Sequence, residues 1–163
     1  MIALFVGRFQ PFHLGHLKAI KEILGENERI VIAIGSSQAS GTGENPFSFE
    51  ERERMIREAL ESEGIRNFGI IGVPDFNDDR KWALEIQKRC RFDRVYSRNP
   101  WTIRCFRGLG IPVKSHGIYE REKYSATEIR KRMAEGSEWE NLVAEKVVAC
   151  IKKRGLGSYK VER

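Results

Sequence analysis

Cysteine is scarce in this sequence: its 163 residues hold three, Cys90, Cys105 and Cys150, widely spaced and without a C-x-x-C pair. An odd number so placed excludes a disulfide framework and offers no zinc site, leaving reduced thiols that behave as small apolar residues. Long apolar runs are also missing, since no stretch approaches the ~18 residues a membrane helix needs. The opening MIALFVGRFQ carries no basic segment ahead of its apolar residues, so it is expected to belong to the fold rather than to a secretory leader. Repeats, low-complexity tracts and linkers are lacking too, and one domain over residues 1–163 is expected. These absences together predict a cytoplasmic protein with no membrane partner.

Charge is abundant. Lysine and arginine number 29 against 23 acidic residues, a net charge of +6, with 40% hydrophobic and 32% charged residues and a mean hydropathy of −0.47. A basic excess of this size suits nucleic acid, anionic surfaces and phosphorylated small molecules equally, so charge alone does not choose among them. Much of it alternates in sign, as in EERERMIREALESE (50–63), which reads as a solvated helical face.

Short apolar runs recur at 2–6, 30–34, 68–73, 94–97 and 111–115, most too uniformly apolar for a strand with one wet face. Between them lie helical stripes: Leu17, Ile20, Ile23 and Leu24; Met55, Ile56, Ala59 and Leu60; Trp82, Ala83, Ile86 and Cys90. The alternation predicts an α/β protein with a doubly wound parallel sheet of about five strands. Capping-box pairs at Ser48/Glu51, Ser125/Glu128 and Ser137/Glu140 mark helix starts, the last two opening a helical C-terminal part. Leu142, Val143, Val147, Cys150 and Ile151 stripe its final helix, with Gly155 and Gly157 expected to stop it before the tail SYKVER.

The turn after the first strand, GRFQPFHLGH (7–16), is the usual phosphate seat of such a sheet. It has neither the dinucleotide fingerprint nor the P-loop spacing. Gly7 ends the strand, Pro11 pre-sets the turn, and His13 and His16 share a face at the start of a helix expected near Phe12. Free helix-start amides attract anions, Arg8 adds fixed charge, and the two imidazoles complete a donor cluster aimed at a phosphate. Gly15 costs about 1 kcal/mol against alanine inside a helix, which points to space kept for something flat or bulky. A helix-capping or core role for the histidines is the alternative, while a metal site lacks nearby Asp, Glu or Cys.

This stretch resembles the H-x-G-H signature of the nucleotidyltransferase superfamily, and in its longer form the archaeal-type nicotinamide-mononucleotide (NMN) adenylyltransferases. YSATEIRKRM (124–133) is similar to their second motif, S-x-T-x-x-R, with Ser125, Thr127 and Arg130 in place. The resemblance extends through IGSSQ, ENPF, ER and YSRNP and implies a Rossmann-like fold. The implied reaction joins ATP and NMN into NAD and pyrophosphate with no general base, because a nucleotide phosphate is already an ionised nucleophile. By resemblance, Gly7, Arg8, Phe9, His13, His16, Thr127 and Arg130 bind ATP. His16 stabilises the α-phosphate, His13 and Arg8 hold the triphosphate, and Arg130 with Thr127 takes its β- and γ-phosphates. Magnesium bridges phosphate oxygens with few protein ligands and no dedicated metal site. Trp82 stacks on the nicotinamide ring and Asp75 and Asn99 complete the acceptor side, and the family is generally hexameric. The bland alternatives are core packing for Trp82, turn chemistry for Asn99, capping for Ser125 and Thr127, and a surface cation for Arg130. Two departures stand out: Arg98 replaces the usual glycine before Asn-Pro, and Ala126 replaces glycine or serine in the second motif.

Pantetheine-phosphate adenylyltransferase shares both motifs and is the runner-up, ahead of a cytidylyltransferase or flavin-nucleotide synthase. A class I aminoacyl-tRNA synthetase fragment would need K-M-S-K-S, which is absent. From another class, a basic nucleic-acid-binding domain would use the charge but explain neither Gly15 nor the histidine spacing.

Overall fold

Residues 1–154 are described by a computed structural model. The tail SYKVER and the expected stops at Gly155 and Gly157 lie outside these residues. The chain resolves into two compact units. The first comprises Met1–Arg8, Ala19–Gln38 and Asn67–Gly117; the second comprises Phe9–Lys18, Ala39–Arg66 and the described residues from Ile118 onward.

The first unit is built on five parallel strands in the order β3-β2-β1-β4-β5. These are β1 (Ile2–Gly7), β2 (Arg29–Ile34), β3 (Phe68–Gly72), β4 (Arg94–Tyr96) and β5 (Val113–Lys114). The β-branched runs pair in register, Phe5 beside Ile32 on one side and Tyr96 on the other. Side chains alternate across the pleat. Leu4, Val31, Ala33 and Val95 face one way and pack with Trp82, Ala83 and Ile86 of α3 (Asp79–Arg89) and Cys105 and Phe106 of α4 (Pro100–Arg107). Phe5, Ile32 and Tyr96 face the other way, toward α1 (Leu14–Glu26), at whose end Asn27 Nδ2 donates to the Tyr96 hydroxyl at 2.9 Å. Helices on both faces make the sheet doubly wound, as the alternating pattern predicts. The order places its topological switch between β1 and β4, where sheets of this kind bind ligands at the strand carboxyl ends.

Two strand expectations need correction. β3 is half-buried along its whole length because it is an edge strand, and β5 shrinks to two residues.

The second unit holds α2 (Phe49–Ser62), α5 (Ala126–Glu135) and α6 (Glu145–Lys153). Ser48 and Glu51 form the reciprocal capping box expected at α2, and Ser125 Oγ accepts from the Glu128 amide at the start of α5. Gly136 ends α5 at φ +70°, a left-handed conformation that costs glycine little. The pair Ser137/Glu140 opens no α-helix: a single 3-10 turn, Glu140–Leu142, follows, and α6 starts at Glu145. The charged stretch of α2 is also not wholly solvated. Arg52 is 0% exposed, on the same stripe as Met55, Ile56 and Ala59, and its guanidinium donates to the carbonyls of Ser48 (3.2 Å) and Ala39 (3.5 Å).

Candidate active site

The expected residues are divided between the units. Gly7, Arg8, Asp75, Trp82 and Asn99 belong to the first, and Phe9, His13, His16, Thr127 and Arg130 to the second.

In the second unit, α1 begins at Leu14, with the His13 carbonyl accepting its first helical bond from Leu17 (3.1 Å), so His13 is the N-cap residue. Its ring does the capping. His13 Nδ1 accepts from the amides of Gly15 (3.1 Å) and His16 (3.3 Å), and His16 Nδ1 accepts from the His13 amide (3.1 Å). The arrangement reproduces a capping box with imidazoles in place of serine and glutamate. With both Nδ1 atoms accepting, each neutral ring carries its proton on Nε2. The capping alternative and the phosphate-donor reading are therefore compatible: Nδ1 builds the helix start and the ring hydrogen lies on Nε2. The amides of Gly15 and His16 are spent on His13, which removes them from the anion-attracting set that the sequence suggests.

The rings are held on several sides. His13 and His16 stack with centroids 3.5 Å apart, Phe12 stacks on His16 at 5.5 Å, and Phe9 meets it edge-on at 4.8 Å. His13 is 7% exposed, and burial lowers its pKa from 6.5 to about 4, so it is neutral at pH 7. Phe9 adopts φ +52°, which costs a non-glycine residue of order 1–3 kcal/mol and persists only where its surroundings enforce it.

Gly15 relieves crowding in this geometry. A Cβ there would lie 3.0 Å from His13 Cε1 and Nδ1 and 3.0 Å from Tyr124 Cβ. The space that the sequence suggests for a ligand is filled by the capping ring and by the residue just ahead of the second motif.

That motif meets the first. Arg130 Nη1 donates to the carbonyl of Gln10 at 2.9 Å, across 120 residues of sequence, and Nη2 lies 3.4 Å from Thr127 Oγ1. Arg130 is half-buried and bonded to a distant segment of the chain, unlike a fully solvated surface cation. Sequence reasoning missed the anchor. Gln10 is 1% exposed, and its side chain pairs twice with Phe47, Nε2 donating to the carbonyl and Oε1 accepting from the amide, both at 2.9 Å.

In the first unit, Asp75 Oδ1 and Oδ2 accept from Ser36 Oγ (2.9 Å) and Gln38 Nε2 (2.7 Å), tying the loop after β3 to IGSSQ after β2. Asn99 Oδ1 caps α4 through the amides of Trp101 (2.9 Å) and Thr102 (3.3 Å). Trp82 sits in the core at 3% exposure, against Trp101 (4.6 Å) and Phe106 (5.6 Å), a place that fits the core-packing alternative. Arg8 is exposed, and Arg98 Nη1 donates to the His116 carbonyl at 2.9 Å, which turns the departure at 98 into a brace on the segment after β5.

Among the described residues no three His, Cys, Asp or Glu side chains group to hold a metal ion, and no helix is long and apolar enough to cross a membrane. The second unit's candidate side chains are N–H donors: the two stacked imidazoles and the guanidinium that bonds the Gln10 carbonyl. Such a set suits an anion of several oxygens rather than a cation.

Comparison with known proteins agrees. The cytidylyltransferase-like family matches residues 4–132. The nicotinamide-nucleotide adenylyltransferase of Methanolobus tindarius is 44% identical over 150 residues, covering 91% of this chain and 86% of that protein. The protein of the same name from Thermoplasma volcanium is 41% identical over 151 residues, covering 92% and 85%. A bifunctional NMN adenylyltransferase/ADP ribose pyrophosphatase from Francisella tularensis, crystallised with AMP and a manganese ion, superposes with a TM-score of 0.81 at 27% identity. That match covers 94% of this chain and 49% of the bifunctional one, so this chain spans about half the length of that protein.

Proposed function

The chain belongs to the cytidylyltransferase-like family and, within it, to the nicotinamide-nucleotide adenylyltransferases, and from that premise we propose that it transfers AMP from ATP to NMN, releasing NAD and pyrophosphate. The observation that carries this reading is the bond from Arg130 to the carbonyl of Gln10, which sets the second motif's guanidinium three residues before the stacked histidines.

The acceptor's phosphate is ionised at neutral pH and attacks the α-phosphorus directly; the bond to the β-phosphate oxygen breaks and pyrophosphate leaves. No side chain needs to remove a proton. The barrier lies in bringing two anions together and in charge gathering on the bridging and non-bridging oxygens, so positioned donors lower it. His16 Nε2–H serves the α-phosphate. His13 is neutral by burial, so it contributes an aligned dipole and takes no proton from the medium at pH 7. Arg8 and Arg130 supply the fixed positive charge, Arg130 with Thr127 on the β- and γ-phosphates, while Gly7 and Phe9 shape the turn.

Asp75, Asn99 and Trp82 stand as the acceptor side of the proposal. Asp75 and Asn99 are supported by their loops at the carboxyl ends of β3 and β4, and Trp82 by resemblance alone. Magnesium in this reading would be carried on the ATP phosphates, where it would offset their charge. A cytoplasmic hexamer completes the proposal, and light scattering tests the assembly.

Incubating the purified protein with ATP, magnesium and NMN should yield NAD and pyrophosphate in equal amounts, with phosphopantetheine a poor acceptor. Pyrophosphate release with phosphopantetheine and none with NMN overturns the acceptor in favour of the runner-up.

A further inference from the structure

Resting on that reading, we propose that Gln10 is a positioning residue: its buried side chain, clamped on the Phe47 backbone, holds its own carbonyl where it fixes the guanidinium of Arg130. Gln10 touches no ligand, because it is 1% exposed. Nothing about burying an amide favours glutamine here unless both its groups are bonded, and both are, to one backbone unit in the manner of a strand pair. The clamp sits one residue after Phe9, whose φ of +52° needs flanking contacts to persist. It also sits three residues before His13, whose ring caps α1.

Beyond Phe47 the brace continues. Ser48 caps α2 and offers its carbonyl to the fully buried Arg52, which also reaches the Ala39 carbonyl, so both ends of the segment 39–48 are tied to one helix. Phe47 is itself 0% exposed. The carbonyl of Gln10 is thus fixed from behind by a rigid chain of bonds. Because Arg130 Nη1 bonds that carbonyl and Nη2 lies against Thr127 Oγ1, the plane of the guanidinium follows from the clamp. A planar fork pointed wrongly keeps its charge and loses its bidentate aim.

The experiment is a double-mutant cycle on pyrophosphate release, using Gln10→Met, Arg130→Ala and the double variant. Methionine keeps the length and burial of the side chain and removes both bonds. Gln10→Met should lower kcat about 10-fold while the KM for ATP changes less, and in the Arg130→Ala background it should cost almost nothing further, since contacting residues are non-additive. A wild-type kcat in Gln10→Met, or full multiplicative losses in the double variant, overturns the proposal. Should methionine prevent folding, Gln10→Leu carries the same cycle: it is a smaller apolar side chain that also removes both bonds to Phe47 without adding a charge, and the same two outcomes decide. Pyrophosphate is formed with whichever acceptor the wild type uses, so failure of NMN as acceptor overturns the functional reading while the cycle still decides on Gln10.

Discussion

At the residue scale, the two imidazoles are structural and chemical at once, and this division of labour by nitrogen makes both roles testable. Replacing His16 with alanine removes one Nε2–H donor, and turnover should fall by about 10²-fold or more, with ATP binding changed less. Steady-state kinetics beside an ATP titration checks this. His13 predicts a pH effect on stability. Its folded pKa, about 4, lies below the 6.5 of an exposed histidine, so the unfolded chain binds the extra proton between those values. Stability from this group is therefore whole above pH 6.5, is lost as pH falls toward about 4, and falls no further below that. The gap corresponds to the order of 3 kcal/mol. In urea titrations across this window, His13→Asn, which keeps a capping side chain that does not titrate, should lack that slope. Much of this was readable in GRFQPFHLGH, whose spacing announces a shared face and a special use for Gly15. What that glycine accommodates was not readable, because Tyr124 approaches it from more than a hundred residues away.

At the scale of elements, capping signals succeeded where the local rule governed and failed where burial overrode it. Ser48/Glu51 and Ser125/Glu128 open helices as written. Ser137/Glu140 obeys the same pattern, but Trp139 inside it is buried and the Glu140 carboxylate accepts from the Trp139 amide at 3.1 Å rather than from Ser137. Arg52 hid in a charge run. Its place three and four residues before Met55 and Ile56 puts it on the apolar stripe, a signal that alternating charge masks. Arg52→Met would keep the volume and strip the donors from the Ser48 and Ala39 carbonyls, and it should destabilise the protein by about 1–3 kcal/mol. Urea denaturation checks this, the expected sign being a lower midpoint at unchanged m-value.

At the scale of the molecule, the sheet was the most legible feature, because uninterrupted β-branched runs have few alternatives to a parallel strand covered on both faces. Strand order was not legible; it rests on which runs pair, and β4 and β5 are short. Site residues scattered over 120 positions of chain also cannot be assembled by periodicity; the motifs identified Arg130, and only the fold brought it to Gln10. Ligand linkage gives the prediction for the whole chain. ATP at about 100 times its Kd should stabilise the native state by about 2.7 kcal/mol. For a chain of this size that is a rise in Tm of about 5–10 °C, visible by scanning fluorimetry and reduced in Arg130→Ala.

The interlocked rings also limit what kind of catalyst this can be. A relay needs an imidazole able to swap which nitrogen holds hydrogen, and here that swap would strand the three main-chain amides that the inward nitrogens now accept from. The first turn of the helix is the lock on the tautomer. Turnover must leave both rings as it found them, and the protein works as a rigid mould for charge rather than as a carrier of hydrogen ions.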